Sequence, residues 1–507
     1  MNRAARIYSV LCLALLAAST QLQGRDIPVK NTAALDSALA SAEPGDVLVM
    51  AKGEWKDAAI EITKGGTAEK PLTIRAEIPG ETIMTGASSL RIKAPHVVVD
   101  GLHFTRGGLS AEASSVVHFL SHHGTLRNTA IVDFNPEKFQ DDYYWVFFEG
   151  DDNLVERCYF KGKNNMQPLL GNAVTDSRRN TVRACYFKNI PHADGNGREI
   201  LRMWGPGKFD PKSEDGAWCV VEGNLFEGAD GEGTEIVSLK SNHNKLVGNT
   251  VIATRGCLNI RQGSRNLVQG NIILGRGVAG AQGLRMSGLD NTVEGNFISG
   301  CDWGIKVSTG EYIERALTEE YKPTKKRTAD KGTDKEETLI AKYPQVKNLS
   351  LSGNVAVNNS GPDLEIGFAY KRHWPKNQLV LLPEDCLIKD NRFVRPKGGD
   401  SIVGTEPDTQ PPLDQLHFAP NRYEGNIVLG GTVAYAPAAS GCKIERVPSG
   451  WSEENEMSGF KPLTASDVGP PWVIALRKAG RFAVEDDLSC ARQGGDSAKK
   501  TRKEEKE

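Results

Sequence analysis

Five strand-like segments end on a basic residue: "EILR" at Arg202, "VSLK" at Lys240, "LNIR" at Arg261, "QGLR" at Arg285 and "WGIK" at Lys306. From Lys240 onward the steps are 21, 24 and 21 residues, which places these positions in one column of a repeating stack; Arg202 joins it across the loop "WGPGKFDPKSEDG". Adjacent coils of a parallel stack lie about 4.8 Å apart, so five such positions span roughly 20 Å. A single basic strand end does no more than resist edge pairing. A ladder of like charges without nearby acids is tolerated when an anion sits on it, which points to a polyanion track. An acidic polysaccharide offers one negative group per sugar or two.

A uronic acid polymer can be cut by β-elimination. A base takes the C5 proton beside the carboxylate, and the C4 oxygen leaves. The carboxylate must be neutralised and the developing charge held in a fixed field. A lysine beside other cations suits the base, because like charges disfavour its protonated form. Lys240, next to Arg261, meets that description. A calcium ion on oxygen ligands would meet the carboxylate. Glu235, Glu199 and Asn196 lie on the same and preceding coils. Trp204, close after Arg202, is a sugar platform or a packing residue.

A stack of coils has to position these groups, and the chain repeats itself accordingly. "CVVEGNLFEG", "NKLVGNTVIA", "NLVQGNIILG", "NTVEGNFISG", "LSLSGNVAVN", "CLIKDNRFVR" and "NRYEGNIVLG" share one frame: apolar, polar, small, Asn, apolar, apolar. The asparagines are Asn224, Asn249, Asn271, Asn296, Asn354, Asn391 and Asn426, with Cys158 and Cys185 in the same column of earlier copies. A unit of about 20–30 residues with short strands and no reliable helix is a solenoid coil. The leucine frame of leucine-rich repeats is absent. The pattern predicts an all-β parallel β-helix with two or three strands per coil. Its stacked side-chain amides satisfy one another inside, and Asn takes the left-handed backbone of the corner. "NTAALDSALASAEPGD" (31–46) predicts a short helix after a capping Asn, covering the open N-terminal end. Residues 308–346 interrupt the repeat with the helix-like "GEYIERALTEEY" and a charged run read as a solvated loop.

The first 24 residues read as a secretory signal: Arg3 and Arg6, then an apolar run from Ile7 to Ala18, then small residues. That run is short for a membrane-spanning helix. The expected organisation is therefore a signal at 1–24, a β-helix at 25–475, and a C-terminal extension at 476–507 whose charged end reads as disordered. The expected product is secreted or periplasmic. The 507 residues carry a formal net charge of −2 from 62 basic and 64 acidic side chains, which argues against nucleic acid as a partner. The eight cysteines after the signal are scattered without a CxxC pair, so buried thiols are expected rather than zinc or a disulfide framework.

"NGREILRMWG", "GEGTEIVSLKSNHN", "NTVIATRGCLNIRQG" and "GLRMSG" resemble the core of polysaccharide lyase family 6, the alginate lyase and chondroitinase B family. The resemblance runs from about residue 26 to "PLTASDVGPPW". It implies a right-handed parallel β-helix and calcium-assisted β-elimination. It assigns Lys240 as base and Arg261 as acid or as stabiliser of the leaving oxygen; on pKa grounds Arg261 holds charge while a water gives the proton. Asn196 and Glu235 match metal positions. Two departures stand out. Gly233 replaces an acid, so either Glu232 or Glu199 moves in, or the metal is weak or missing and another cation such as Arg202 serves. Gln262 replaces a histidine, which bears on substrate choice. Arg202, Arg285, Lys306, Gln262 and Trp204 complete the expected substrate surface.

Other clusters read more plainly. His122 and His123 read as a turn, with no third metal ligand in sight. "QDDYYWVFFEGDDN" (140–153) reads as a solvated turn with a stacking aromatic, Tyr143 or Trp145, for sugar. Three readings follow: a lyase of alginate-type polyuronate, a lyase of dermatan- or chondroitin-type sulfated chains, and a noncatalytic glycan-binding solenoid. The expected partner is an acidic polysaccharide, without membrane insertion, for a monomer or dimer.

Overall fold

Three short strands per repeat generate three long sheets. The first full coil is Val47–Met50, Gly53–Lys56 and Ala59–Ile62: Val47–Met50 joins the first sheet, Ala59–Ile62 founds the second and Gly53–Lys56 founds the third. The sheets contain 14, 13 and 14 strands, and every paired strand in them is parallel to its neighbour. The chain is a right-handed parallel β-helix. The computed structural model describes residues 24–110, 112–206, 213–310, 344–369, 381–405 and 419–479. The predicted signal up to residue 23, the helix-like insertion from residue 311 on and the charged tail lie outside those residues. No described helix is long and apolar enough to cross a membrane.

The asparagine column is a hydrogen-bonded ladder. From Asn224 through Asn249, Asn271, Asn296, Asn354 and Asn391 to Asn426, each amide Nδ2 donates to the next Oδ1 at 2.8 to 3.0 Å. All seven are buried, so every rung replaces water that the interior excludes. Cys185 continues the column, its N–H donating to Asn224 Oδ1. A second ladder, Asn244, Asn266 and Asn291, lines another corner. The left-handed residue at the corner is not the asparagine, as expected from sequence, but the one before it. Gly223, Gly248, Gly270 and Gly295 have φ of 60 to 63°, where a side chain is strained.

The predicted N-terminal helix is Thr32–Ser41, capped by Asn31, whose side chain accepts from the Ala34 N–H. Leu35, Ala38 and Leu39 are buried in it. Stacked aromatics fill the interior, Phe160 on Phe187 on Phe226 at 5.1 and 4.8 Å. All seven described cysteines are free thiols, six of them buried. After the last coil strand, Cys442–Glu445, the chain turns back along the outside of the third sheet. Phe460 packs on Phe297, Leu463 N–H donates to Thr250 at 2.9 Å, and Trp472 Nε1 donates to Asn128 O at 2.7 Å.

Candidate active site

The second sheet carries the basic residues on its outer face. Alternation along each strand turns one residue in and the next out. Arg202, Ser238, Asn259, Arg285, Lys306 and Glu365 are register partners in one file across six coils. Lys240 and Arg261 are not in that file. The pairing of Leu239 with Ile260 sets them opposite one another, two residues further along the same face. The expected single column of five is thus two adjacent files, with Trp204 beside Lys240 in the second. Lys240 and Arg261 directly follow their strands, whereas Arg202, Arg285 and Lys306 lie within theirs, a difference that counting steps cannot see.

Acids are interleaved with the cations, contrary to the expectation of an unscreened ladder. Glu199, 1% exposed, accepts from Lys240 Nζ at 2.8 Å and lies 3.5 Å from Arg202 Nη1. Glu235 Oε1 accepts from Asn259 at 2.8 Å and lies 3.4 Å from Arg261 Nε. Lys306 Nζ is 3.3 Å from Glu365. Trp204 is half-buried, with Lys240 Nζ 4.6 Å and the Arg202 guanidinium 5.7 Å from its ring, so it serves at least as a packing surface for both cations. Lys306 lies between Trp303 and Phe368 at 4.6 and 4.0 Å, and Arg285 is buried against Phe368. Gln262 is half-buried directly after Arg261.

Two residues that the sequence reading left out complete the grip on Arg202. Its Nη2 donates to Tyr144 Oη at 2.8 Å and to Gln167 Oε1 at 3.0 Å. Tyr143 and Trp145, read from sequence as sugar-stacking residues of a solvated turn, are instead fully buried in the strand region Tyr144–Phe148. The aromatic that faces outward is Tyr144 between them. The adjacent acids suggested a turn, whereas the inward packing of residues 143, 145 and 146 makes a strand.

A sequence model of the family described as Chondroitinase B matches residues 29–303. A family 6 polysaccharide lyase from Pseudopedobacter saltans is 39% identical, with 88% of this chain and 99% of that chain covered and a TM-score of 0.77. The chain belongs to polysaccharide lyase family 6. More distant family 6 structures share the fold. A mannuronic acid specific enzyme from human gut microbiota is 23% identical, with a TM-score of 0.71 over 90% of this chain and 98% of its own. The alginate lyase AlyGC is 23% identical, with a TM-score of 0.72 over 88% of this chain, which spans 58% of its length. No curated protein matches the chain by sequence.

For this family 6 chain the residues expected to hold calcium are Asn196, Glu199, Glu232 and Glu235. Among the described residues no group of three or more His, Cys, Asp or Glu side chains is arranged to hold a metal ion. Glu199, Glu232 and Glu235 do sense one another: burial first, then Glu199, pushes the Glu232 carboxyl up to about 7. Their oxygens point to different partners, however. Glu199 faces two cations, Glu232 accepts from the N–H groups of Gly197 and Arg198, and Glu235 accepts from Ser238 and Asn259. Asn196 is exposed on the loop before the Leu201–Met203 strand. The space beside Gly233 is filled: a Cβ there would lie 2.8 Å from the His192 ring. In this arrangement the three carboxylates are engaged by protein donors, and no step below depends on the ion.

Proposed function

We propose that this family 6 lyase cleaves a uronate-containing polysaccharide of the alginate type by β-elimination. The observation that carries the reading is the pair Lys240 and Arg261, opposite each other on neighbouring coils of the outward face, with Arg202 tied to Lys240 through Glu199. Lys240 Nζ serves as the base that takes the C5 proton. The electrons form the C4–C5 double bond as the bond from C4 to the leaving oxygen breaks. Arg261 holds the charge on that oxygen, and a water protonates it. Arg202 meets the substrate carboxylate, offsetting the charge that builds at C5. Glu199 fixes the spacing between Arg202 and Lys240.

Support for the alginate class comes from the neighbours. AlyGC is an alginate lyase and the gut enzyme is mannuronic acid specific. The match to the Chondroitinase B family favours a dermatan-type chain as the second reading. The test is the absorbance of the unsaturated product on alginate, polymannuronate, polyguluronate, dermatan sulfate and chondroitin sulfate. Product on the alginate set and none on the sulfated chains supports the first reading; the reverse supports the second. No product on any polymer leaves the noncatalytic solenoid.

A further inference from the structure

Lys163 is 2% exposed, and its ammonium meets no carboxylate in ion-pair contact among the described residues. Its three donors go to three consecutive backbone carbonyls, Asn165 O at 3.1 Å, Met166 O at 3.3 Å and Gln167 O at 2.8 Å. An ammonium buried on carbonyls alone costs more than an apolar side chain of the same volume. Burial, reinforced by the Arg198 charge, holds its pKa well below the usual lysine range. An apolar residue would fill the space with less penalty, so the hydrogen bonds serve the turn they hold.

That turn is unusual in what it delivers. Gln167 has φ of 77°, a left-handed conformation that a non-glycine residue adopts at a cost. In that conformation its Oε1 accepts from Arg202 at 3.0 Å, and its Nε2 donates to Asp142 at 3.2 Å. Within the same turn Asn165 Nδ2 donates to Asp141 O at 2.8 Å and to Tyr143 O at 3.3 Å, pinning the segment that leads into Tyr144. Tyr144 Oη is the second partner of Arg202 Nη2. Arg198 closes the third side, with Nε on Asn165 O at 3.1 Å and Nη2 on Lys163 O at 3.3 Å, and the next residue is Glu199. Three segments converge on the Lys163 turn, and each ends in a side chain that touches Arg202.

We propose that Lys163 is a positioning residue: a buried amine whose hydrogen bonds hold the Asn165–Gln167 turn in its strained form, so that Gln167 and Tyr144 aim Arg202 at the substrate carboxylate. This rests on the lyase reading for its rate effect, but not for its effect on binding. A displacement of Arg202 by about 1 Å is enough to cost rate steeply.

The experiment compares wild type, Lys163→Met, Gln167→Ala and the double variant. It follows steady-state cleavage of alginate and, separately, fluorescence titration with a saturated mannuronate or guluronate tetrasaccharide. Both single variants are expected to lower kcat roughly 10- to 100-fold with a smaller change in KM, and the double variant to add little to either. Lys163→Met with kcat, KM and tetrasaccharide binding unchanged overturns the proposal, whatever happens to its melting temperature. So does full additivity, because two independent losses mean that Lys163 does not act through Gln167. If wild type yields no product, the lyase reading fails and the titration alone decides: matching loss of affinity in both single variants supports the inference, and an unchanged Lys163→Met overturns it. If Lys163→Met does not fold, Gln167→Ala on the half-exposed end of the turn carries the test, and its unchanged kcat and affinity overturn the proposal.

Discussion

Lys240 and Arg202 stand on neighbouring coils and share one buried carboxylate, Glu199, at 2.8 and 3.5 Å. The lysine is therefore not an isolated cation among cations; it is one end of a bridge whose centre is negative. Glu199→Gln removes that centre and leaves two poorly hydrated cations facing each other. It should lower kcat roughly 10- to 100-fold and also lower the melting temperature, because breaking a buried pair leaves charge uncompensated. Steady-state rates and a thermal melt on one preparation check both effects.

Lys240→Ala should remove product formation by at least about 100-fold, the scale of a lost general base. Its side chain is 11% exposed and packs on Trp204, so a modest stability loss is expected alongside. A folded Lys240→Ala protein with wild-type turnover would remove the lysine from the mechanism.

Chelator should leave activity unchanged, since the acids near the site are already engaged with protein donors. Gly233→Glu alone should not create calcium dependence. Its backbone sits at φ of 70° and the new Cβ would meet His192 at 2.8 Å, so the variant should melt lower and stay indifferent to added calcium. Rates with EDTA and with excess calcium, for both proteins, settle the matter.

Asn271→Ala should destabilise the stack by roughly 3 kcal/mol, because it strands the carbonyl of Leu246 and the amides on either side in the ladder. Urea unfolding measures this. Activity below the melting temperature should persist, since the ladder lies inside and the candidate site outside.

Asp363 gives a pH signature unrelated to catalysis. Burial pushes its carboxyl up to about 7 in the fold, against about 3.9 in the unfolded chain. Between those values the folded state holds the extra proton. Its contribution is fully present below about pH 4 and is lost as pH rises through 7, by at most about 4 kcal/mol. Asp363→Asn should therefore flatten the dependence of melting temperature on pH between 5 and 8.

The solenoid was legible because a tight corner imposes the same demand on every coil. A small left-handed residue followed by Asn recurs at Gly248–Asn249, Gly270–Asn271 and Gly295–Asn296, and such a demand leaves a period in the sequence. Lys240 and Arg261 were legible for a related reason: between their strands the register runs without interruption from Val237 to Leu239. Arg285 was set opposite Arg261 by counting, whereas it pairs with Asn259, because Arg261 follows its strand while Arg285 lies within its own. Tyr144 and Gln167 escaped, and Glu199 was read as a metal ligand rather than as a partner of Arg202 and Lys240, because these relations join residues far apart in the chain. Only folding brings residue 144 and residue 167 to residue 202.

The return segment that ends in Trp472 changes how the whole rod must come apart. A stack held only by neighbour-to-neighbour contacts can unravel from either tip, one layer at a time. Here Trp472 is fastened to Asn128 and Phe460 to Phe297, so the far end is buckled onto layers laid down hundreds of residues earlier. Peeling the last layer means first undoing that buckle. A nascent chain likewise stays an open-ended spring on the ribosome until its final stretch emerges and fastens it.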